Sequence, residues 1–100
     1  MYISRIIFTI QDSKQAMFEE TVNKIVQVAR TFPGCRYFGL SIPIHEPTKY
    51  MLYEEWDSKE HADAFKASKE RNDAVAYVAP IMGGAPIVVE YNADIITPKK

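Results

Sequence analysis

Residues 33–68 read PGCRYFGLSIPIHEPTKYMLYEEWDSKEHADAFKAS, and the fold turns on how this stretch divides. Pro33 and Gly34 make a turn, a strand runs on from Cys35, and the chain reverses over His45, Glu46, Pro47 and Thr48. Residues 50–56 are rich in aromatic and apolar side chains and read as a second strand with two unlike faces. Alternation puts Leu52, Glu54 and Trp56 on one face and Met51, Tyr53 and Glu55 on the other. Asp57 or Ser58 then caps a helix beginning near Lys59, with Glu60 as capping-box partner of Asp57. The strand therefore hands Trp56 directly to a helix N-terminus.

Upstream, residues 2–10 alternate, with Ile6, Phe8 and Ile10 opposite Ile3, Arg5, Ile7 and Thr9. Asp12 or Ser13 opens a helix, with Gln15 placed for a capping box. Phe18, Val22, Ile25, Val26, Ala29 and Phe32 recur at the spacing of a buried stripe, and Pro33 ends it. Within the opening stretch, Phe38, Leu40 and Ile42 share one face and Cys35, Tyr37, Gly39 and Ser41 the other, and Pro43 interrupts pairing. The second helix carries a thin stripe of Ala62, Phe65 and Ser68. After Arg71 and Asn72, Ala74, Val75 and Val78 support a further short helical piece stopped by Pro80. Residues 82–86 form a loop, residues 87–93 a last strand with Ile87, Val89 and Tyr91 opposite Val88, Glu90 and Asn92, and Pro98, Lys99 and Lys100 a frayed tail.

The order strand, helix, strand, strand, helix, strand is that of an α+β, ferredoxin-like split βαβ fold, a four-stranded antiparallel sheet with helices on one face. With 100 residues the chain is expected to form one domain over residues 1–100. Apolar side chains lie on both faces of the strands, and two helices cover only one. The other is expected to pack on a copy of itself, through Ile3, Ile7, Tyr37, Gly39 and Val88, giving a two-fold homodimer.

Hydrophobic residues at 47% and charged residues at 25% exclude a disordered chain. A net charge of −1, with no basic cluster except Lys99 and Lys100, gives no footprint for nucleic acid or for an anionic membrane. The single cysteine, Cys35, rules out an internal disulfide and fits a reducing compartment. No signal peptide or membrane-spanning run is visible, so a cytoplasmic protein is expected. Gly83 and Gly84 precede a strand rather than a helix, so they do not cradle a phosphate.

His45 and His61 are the only histidines, and either is a candidate general base; the alternative is a solvated side chain in a loop or a first helical turn. They lack neighbours at metal-ligand spacing, so no metal site is expected. Glu54 and Glu55 point to opposite faces and cannot share a proton. Glu54, on the Trp56 face, is the better candidate for a site, unless it is an ion-pair partner of Arg5, Arg36 or Arg71. Arg71 either holds an oxyanion or carboxylate or lies on a solvated turn. Cys35 reads as a small buried hydrophobe.

The turn Pro33–Gly34, the strand closing on Glu54 and Trp56, and Ser58, Glu60, Phe65 and Ser68 beyond it together resemble the antibiotic biosynthesis monooxygenase family of the dimeric α/β barrel superfamily. The resemblance implies the same fold and an oxidoreductase activity, cofactor-independent oxidation of a small aromatic, phenolic or quinol substrate. In its terms Trp56 stands beside a pocket between sheet and helices, where Tyr37, Tyr53, Phe65 and Tyr77 complete an aromatic wall and Glu54 lies on the Trp56 face; the alternative for each aromatic is core packing. Many quinol-oxidising members carry His where this chain has Phe65. Haem-degrading members carry Trp there and a haem-ligating His where this chain has Val75. Haem is therefore set aside and no cofactor is expected. Two further readings share the fold: a small-molecule-binding dimer without turnover, and a structural dimerisation module.

Overall fold

The computed structural model describes residues 1–97; the tail expected at Pro98, Lys99 and Lys100 lies outside them. The elements are β1 (Tyr2–Thr9), α1 (Gln15–Ala29), β2 (Cys35–Ser41), β3 (Lys49–Trp56), α2 (Lys59–Lys66), α3 (Lys69–Val78), a 3-10 turn over Ala79–Ile81, and β4 (Ile87–Asn92). All strand pairs are antiparallel, and the sheet order is β2-β3-β1-β4. This is the ferredoxin-like α+β arrangement expected from the element order.

The register decides which side chains meet the helices. Ile6 lies opposite Leu52 and Val88, Ser4 opposite Glu54 and Glu90, and Tyr2 opposite Trp56 and Asn92. Directly paired residues share a face, so these three cross-strand rows form the helix-facing side. Val88 therefore belongs under the helices and not on the open face, and its strand neighbours Ile87, Val89 and Tyr91 take the open positions beside Ile3, Arg5 and Ile7. The expectation erred because alternation alone does not say which set of an isolated strand turns inward. A bulge between Cys35 and Tyr37 makes a second correction: Cys35 pairs with Trp56 and packs against the core, on the opposite side from Tyr37.

The starts of α1 and α3 differ from expectation. Ser13 adopts a left-handed φ of 70°, so the turn over residues 11–14 closes through Lys14 N–H to the Gln11 carbonyl at 3.0 Å, and α1 begins without a side-chain cap. Of the two expected caps of α2, Ser58 is the one that serves, accepting from the His61 amide at 3.3 Å. Ser68 does not continue the α2 stripe; it accepts from the Arg71 amide at 3.2 Å and starts α3, which places Arg71 and Asn72 inside a helix.

The core lies between the helix-facing side and α1, whose Phe18, Val22, Ile25, Val26 and Ala29 are buried as their spacing requires. At its other end Trp56 stacks on Phe65 of α2, centroids 5.4 Å apart, and meets Phe38 edge-on at 6.3 Å. The Pro33–Gly34 turn is tied to this end by the Asp57 amide, which donates to the Gly34 carbonyl at 2.8 Å. Gly34 has φ 80° and the His61 ring packs against it, so no side chain fits there.

Trp56 is fully buried, and its removal leaves a void bounded by the Phe38 and Phe65 rings. Trp56→Ala is expected to cost about 3–5 kcal/mol, read as a lowered denaturation midpoint at unchanged slope. A loss below about 1 kcal/mol would mean that the aromatic cluster does not hold α2 to the sheet.

Candidate functional site

A cavity of about 180 Å³ lies between the helix-facing side of the sheet and the helices. Its floor is the row Leu52, Ile6 and Val88, and its roof comes from Val22 and Ile25 of α1 and Val78 of α3. Phe8, Phe18 and Phe38 close it inward. Val75 of α3 and Val88 of β4, respectively 45% and 52% exposed, mark its mouth as a slit between those two elements.

Three polar side chains converge on this apolar space: Glu54 from β3, Lys66 from the last turn of α2, and Arg71 from the first turn of α3. Glu54 is only 4% exposed. Its Oε1 accepts a hydrogen bond of 3.0 Å from the Trp56 indole N–H, two residues along the same strand and on the same face. Burial pushes its carboxyl above the usual carboxylate range, opposed by the Trp56 N–H and by the positive charges of Lys66 and Arg71. Lys66 donates to Glu90 Oε1 at 2.5 Å, joining α2 to β4 across one end of the slit. That bond, with the Tyr2 hydroxyl, holds the Glu90 carboxyl below its ordinary value. Tyr2 itself is pushed up to about 12 by burial and by Glu90, so it is a proton donor near neutral pH. Among the described residues the Arg71 guanidinium has no hydrogen bond or ion pair; only its backbone N–H is engaged. The polar end thus presents an acceptor, the second Glu54 oxygen, and a donor, Arg71.

Glu54, Phe65 and Arg71 are the candidates that the fold brings together at the cavity. Trp56 does not line it. Its ring lies behind Phe65 and Phe38, so it acts on the site only through its bond to Glu54. Tyr37 stands on the other side of the sheet, folded over Gly39 and 5.7 Å from the Tyr53 ring. Tyr77 is half exposed in a shallow groove between α1 and α3. His45 is exposed in the hairpin loop, and His61 sits with Nδ1 2.7 Å from Ser58 Oγ against Gly34, so neither histidine reaches the cavity. Lys66 and Met82 line it and were not singled out from the sequence, and Val88 lines it although it was expected on the dimer face. Lys66 follows Phe65, but nothing local ties it to a strand 24 residues away. Phe65 and Val75 both border the cavity and offer no iron ligand, so the donor set does not fit haem. Among the described residues no group of three or more His, Cys, Asp or Glu side chains could hold a metal ion. No described helix is long and apolar enough to cross a membrane.

The raised carboxyl of Glu54 makes stability depend on pH with a definite sign. In the folded state Glu54 holds its proton to higher pH than it does when unfolded, so this contribution is present at low pH and is lost as pH rises through the folded value. Glu54→Gln removes the ionisation while keeping an oxygen for the indole. Relative to that variant, the wild-type protein should lose stability as pH rises from below the ordinary value of 4.5 toward neutrality, in denaturation series run at several pH values. A difference that is flat in pH would mean that Glu54 is not penalised by burial.

The family model described as "Antibiotic biosynthesis monooxygenase" matches residues 1–77. No curated protein matches the chain in sequence. Solved structures share its fold at low identity. A protein of Nitrosomonas europaea provisionally named for the same family superposes with a TM-score of 0.88 at 22% identity, covering 93% of this chain and 98% of that one. A structure titled as an antibiotic biosynthesis monooxygenase gives 0.86 at 18% identity, covering 95% and 100%. A conserved protein of Methanosarcina mazei gives 0.88 at 14% identity, covering 94% of each chain. With its family match over more than three quarters of its length, the chain belongs to the antibiotic biosynthesis monooxygenase family.

Proposed function

We propose that the chain binds a small hydroxylated aromatic molecule, a phenol or quinol, in the cavity and oxidises it with dioxygen without a cofactor. The observation that carries this reading is the pairing of a buried carboxylate with an uncommitted guanidinium at the end of an otherwise apolar space. Glu54 accepts the hydroxyl proton with the oxygen not bonded to Trp56, Arg71 takes up the charge on the resulting phenolate oxygen, and the aromatic walls keep water away. The deprotonated ring then supplies its own electrons to dioxygen. For a quinol, one oxygen atom enters the ring, the other leaves as water, and the four electrons come from the quinol itself. Family membership supports the reaction class.

A second reading, binding without turnover, is favoured by one observation: neither histidine faces the cavity, which leaves Glu54 as the only carboxylate or imidazole lining it among the described residues. The two readings part in one experiment. Hydroquinone prepared anaerobically and exposed to isotopically labelled dioxygen should yield a hydroxyquinone with one labelled atom. Glu54→Gln should lower the rate by about 10²–10⁴-fold. Binding with no oxygen uptake above the protein-free control would establish the second reading instead.

The open side of the sheet supports a homodimer. Tyr37, Ile87, Val89 and Tyr91 are between 39% and 55% exposed and lie beside the half-buried Ile7 and Met51, a run of apolar side chains of the kind that marks an interaction surface. We propose that this side packs on a second copy. Sedimentation at micromolar concentration should report a dimer, and Ile7→Asp should convert it to monomer or unfold it, because an unpaired charge buried there costs several kcal/mol, on the order of 2–5. A folded wild-type monomer would overturn the proposal.

A further inference from the structure

We infer that Arg5 and Glu55 form two reciprocal ion pairs between the copies of the dimer, and that these pairs select a second copy of this chain as the partner of the open side; the inference rests on the dimer reading above and deepens it. The register sets three cross-strand rows on that side, through Ile3, Arg5 and Ile7 of β1. Within those rows Arg5 and Glu55 are the only charged residues, one of each sign, among aromatic, aliphatic and small ones. The centre of a face to be buried ordinarily lacks charges, because an unpaired buried charge is costly. Here they stand on the two central strands, β1 and β3. Among the described residues neither makes an ion pair.

Each is instead held in place by a tyrosine. The Tyr53 hydroxyl donates to Glu55 Oε2 at 2.7 Å, and the Arg5 guanidinium stands over the Tyr91 ring, 5.7 Å from its centroid. Tyr91 belongs to β4, on the far side of β1 from Glu55, so Arg5 leans away from the carboxylate of its own chain. It leans toward the row of Ile3, which pairs with Tyr91 on one side and with Glu55 on the other. A two-fold axis along the seam between β1 and β3 exchanges those strands and lays the partner's Glu55 over Ile3, in the row where Tyr91 holds the guanidinium. The partner's Arg5 meets Glu55 in the same way, so the pairing closes twice. Because the tyrosines position both charges before association, less order is lost in forming the pairs. A surface without the same charges in the same register would leave Arg5 and Glu55 buried and unpaired, so the pairs set the orientation as well as the partner.

Sedimentation and native mass spectrometry of charge-reversed variants, alone and mixed, test the pairs. Arg5→Glu sets like charges against each other at both contacts of a homodimer, as does Glu55→Arg, and each should weaken self-association by at least about thirtyfold. An equimolar mixture of the two should restore dimers containing one copy of each, because both contacts then join opposite charges. A pair made within one chain behaves differently: it stays repulsive in the mixture and is repaired only in the double variant Arg5→Glu/Glu55→Arg. Where a reversal prevents folding, Arg5→Gln and Glu55→Gln carry the same logic. Their mixed dimer keeps one intact pair and their homodimers none, so mixed dimers should outnumber the statistical share. A mixture that gains no mixed dimers, or single variants that self-associate as tightly as the wild type, overturns the inference and leaves the dimer standing. A wild-type monomer at micromolar concentration overturns the dimer reading, and the inference with it.

Discussion

The site depends on the hydrogen bond from the Trp56 indole to the buried Glu54 carboxylate. A carboxylate on a side chain this buried is expensive to keep charged, and the cost is offset by one indole N–H and by the charges of two cations on α2 and α3. Each of those partners is located by a different feature of the fold. Trp56 is fixed by its stack on Phe65, Lys66 by the end of α2, and Arg71 by the Ser68 cap that breaks α2 from α3. A shift in any of them would leave the charge less well supported.

The same arrangement explains how a small domain keeps a cavity. Close packing ordinarily removes such a space. Here Phe18, Phe38 and Phe65 are locked by aromatic neighbours, while the mouth between α3 and β4 is bordered by the short side chains of Ala74, Val75 and Val88, the last on an edge strand that is exposed along its length. The space survives between a rigid inner wall and a thin outer one. The Lys66–Glu90 pair ties the two walls at one end, and the Gln11 side chain, donating at 3.1 Å to the carbonyls of Pro80 and Met82, fixes the loop at the other.

Trp56 illustrates how a residue can matter to a site without touching what binds there. Its position at the strand-to-helix handover points to a pocket wall, yet the indole is enclosed by the rings that form that wall. Its contribution to chemistry passes through Glu54, which it orients and whose charged form it favours. The histidines follow a different logic. His61 serves the helix start and the tight Gly34 turn, while His45 lies exposed in the hairpin loop.

What the sequence determined by itself was local. Alternation in β1 and β3, the apolar stripe of α1 and the Pro33–Gly34 turn set the element order, and with it the sheet and the family. It also placed Glu54 with Trp56, because residues two apart on a strand share a face. What only the tertiary structure decided was which face of β4 turns inward, where the bulge flips Cys35, and that Lys66 and Arg71 from two successive helices would line the same cavity as Glu54. Those outcomes depend on strand register and on helix ends packed against residues distant in the chain. Periodicity carries no phase between separate elements, so it cannot say which of their side chains will face one another.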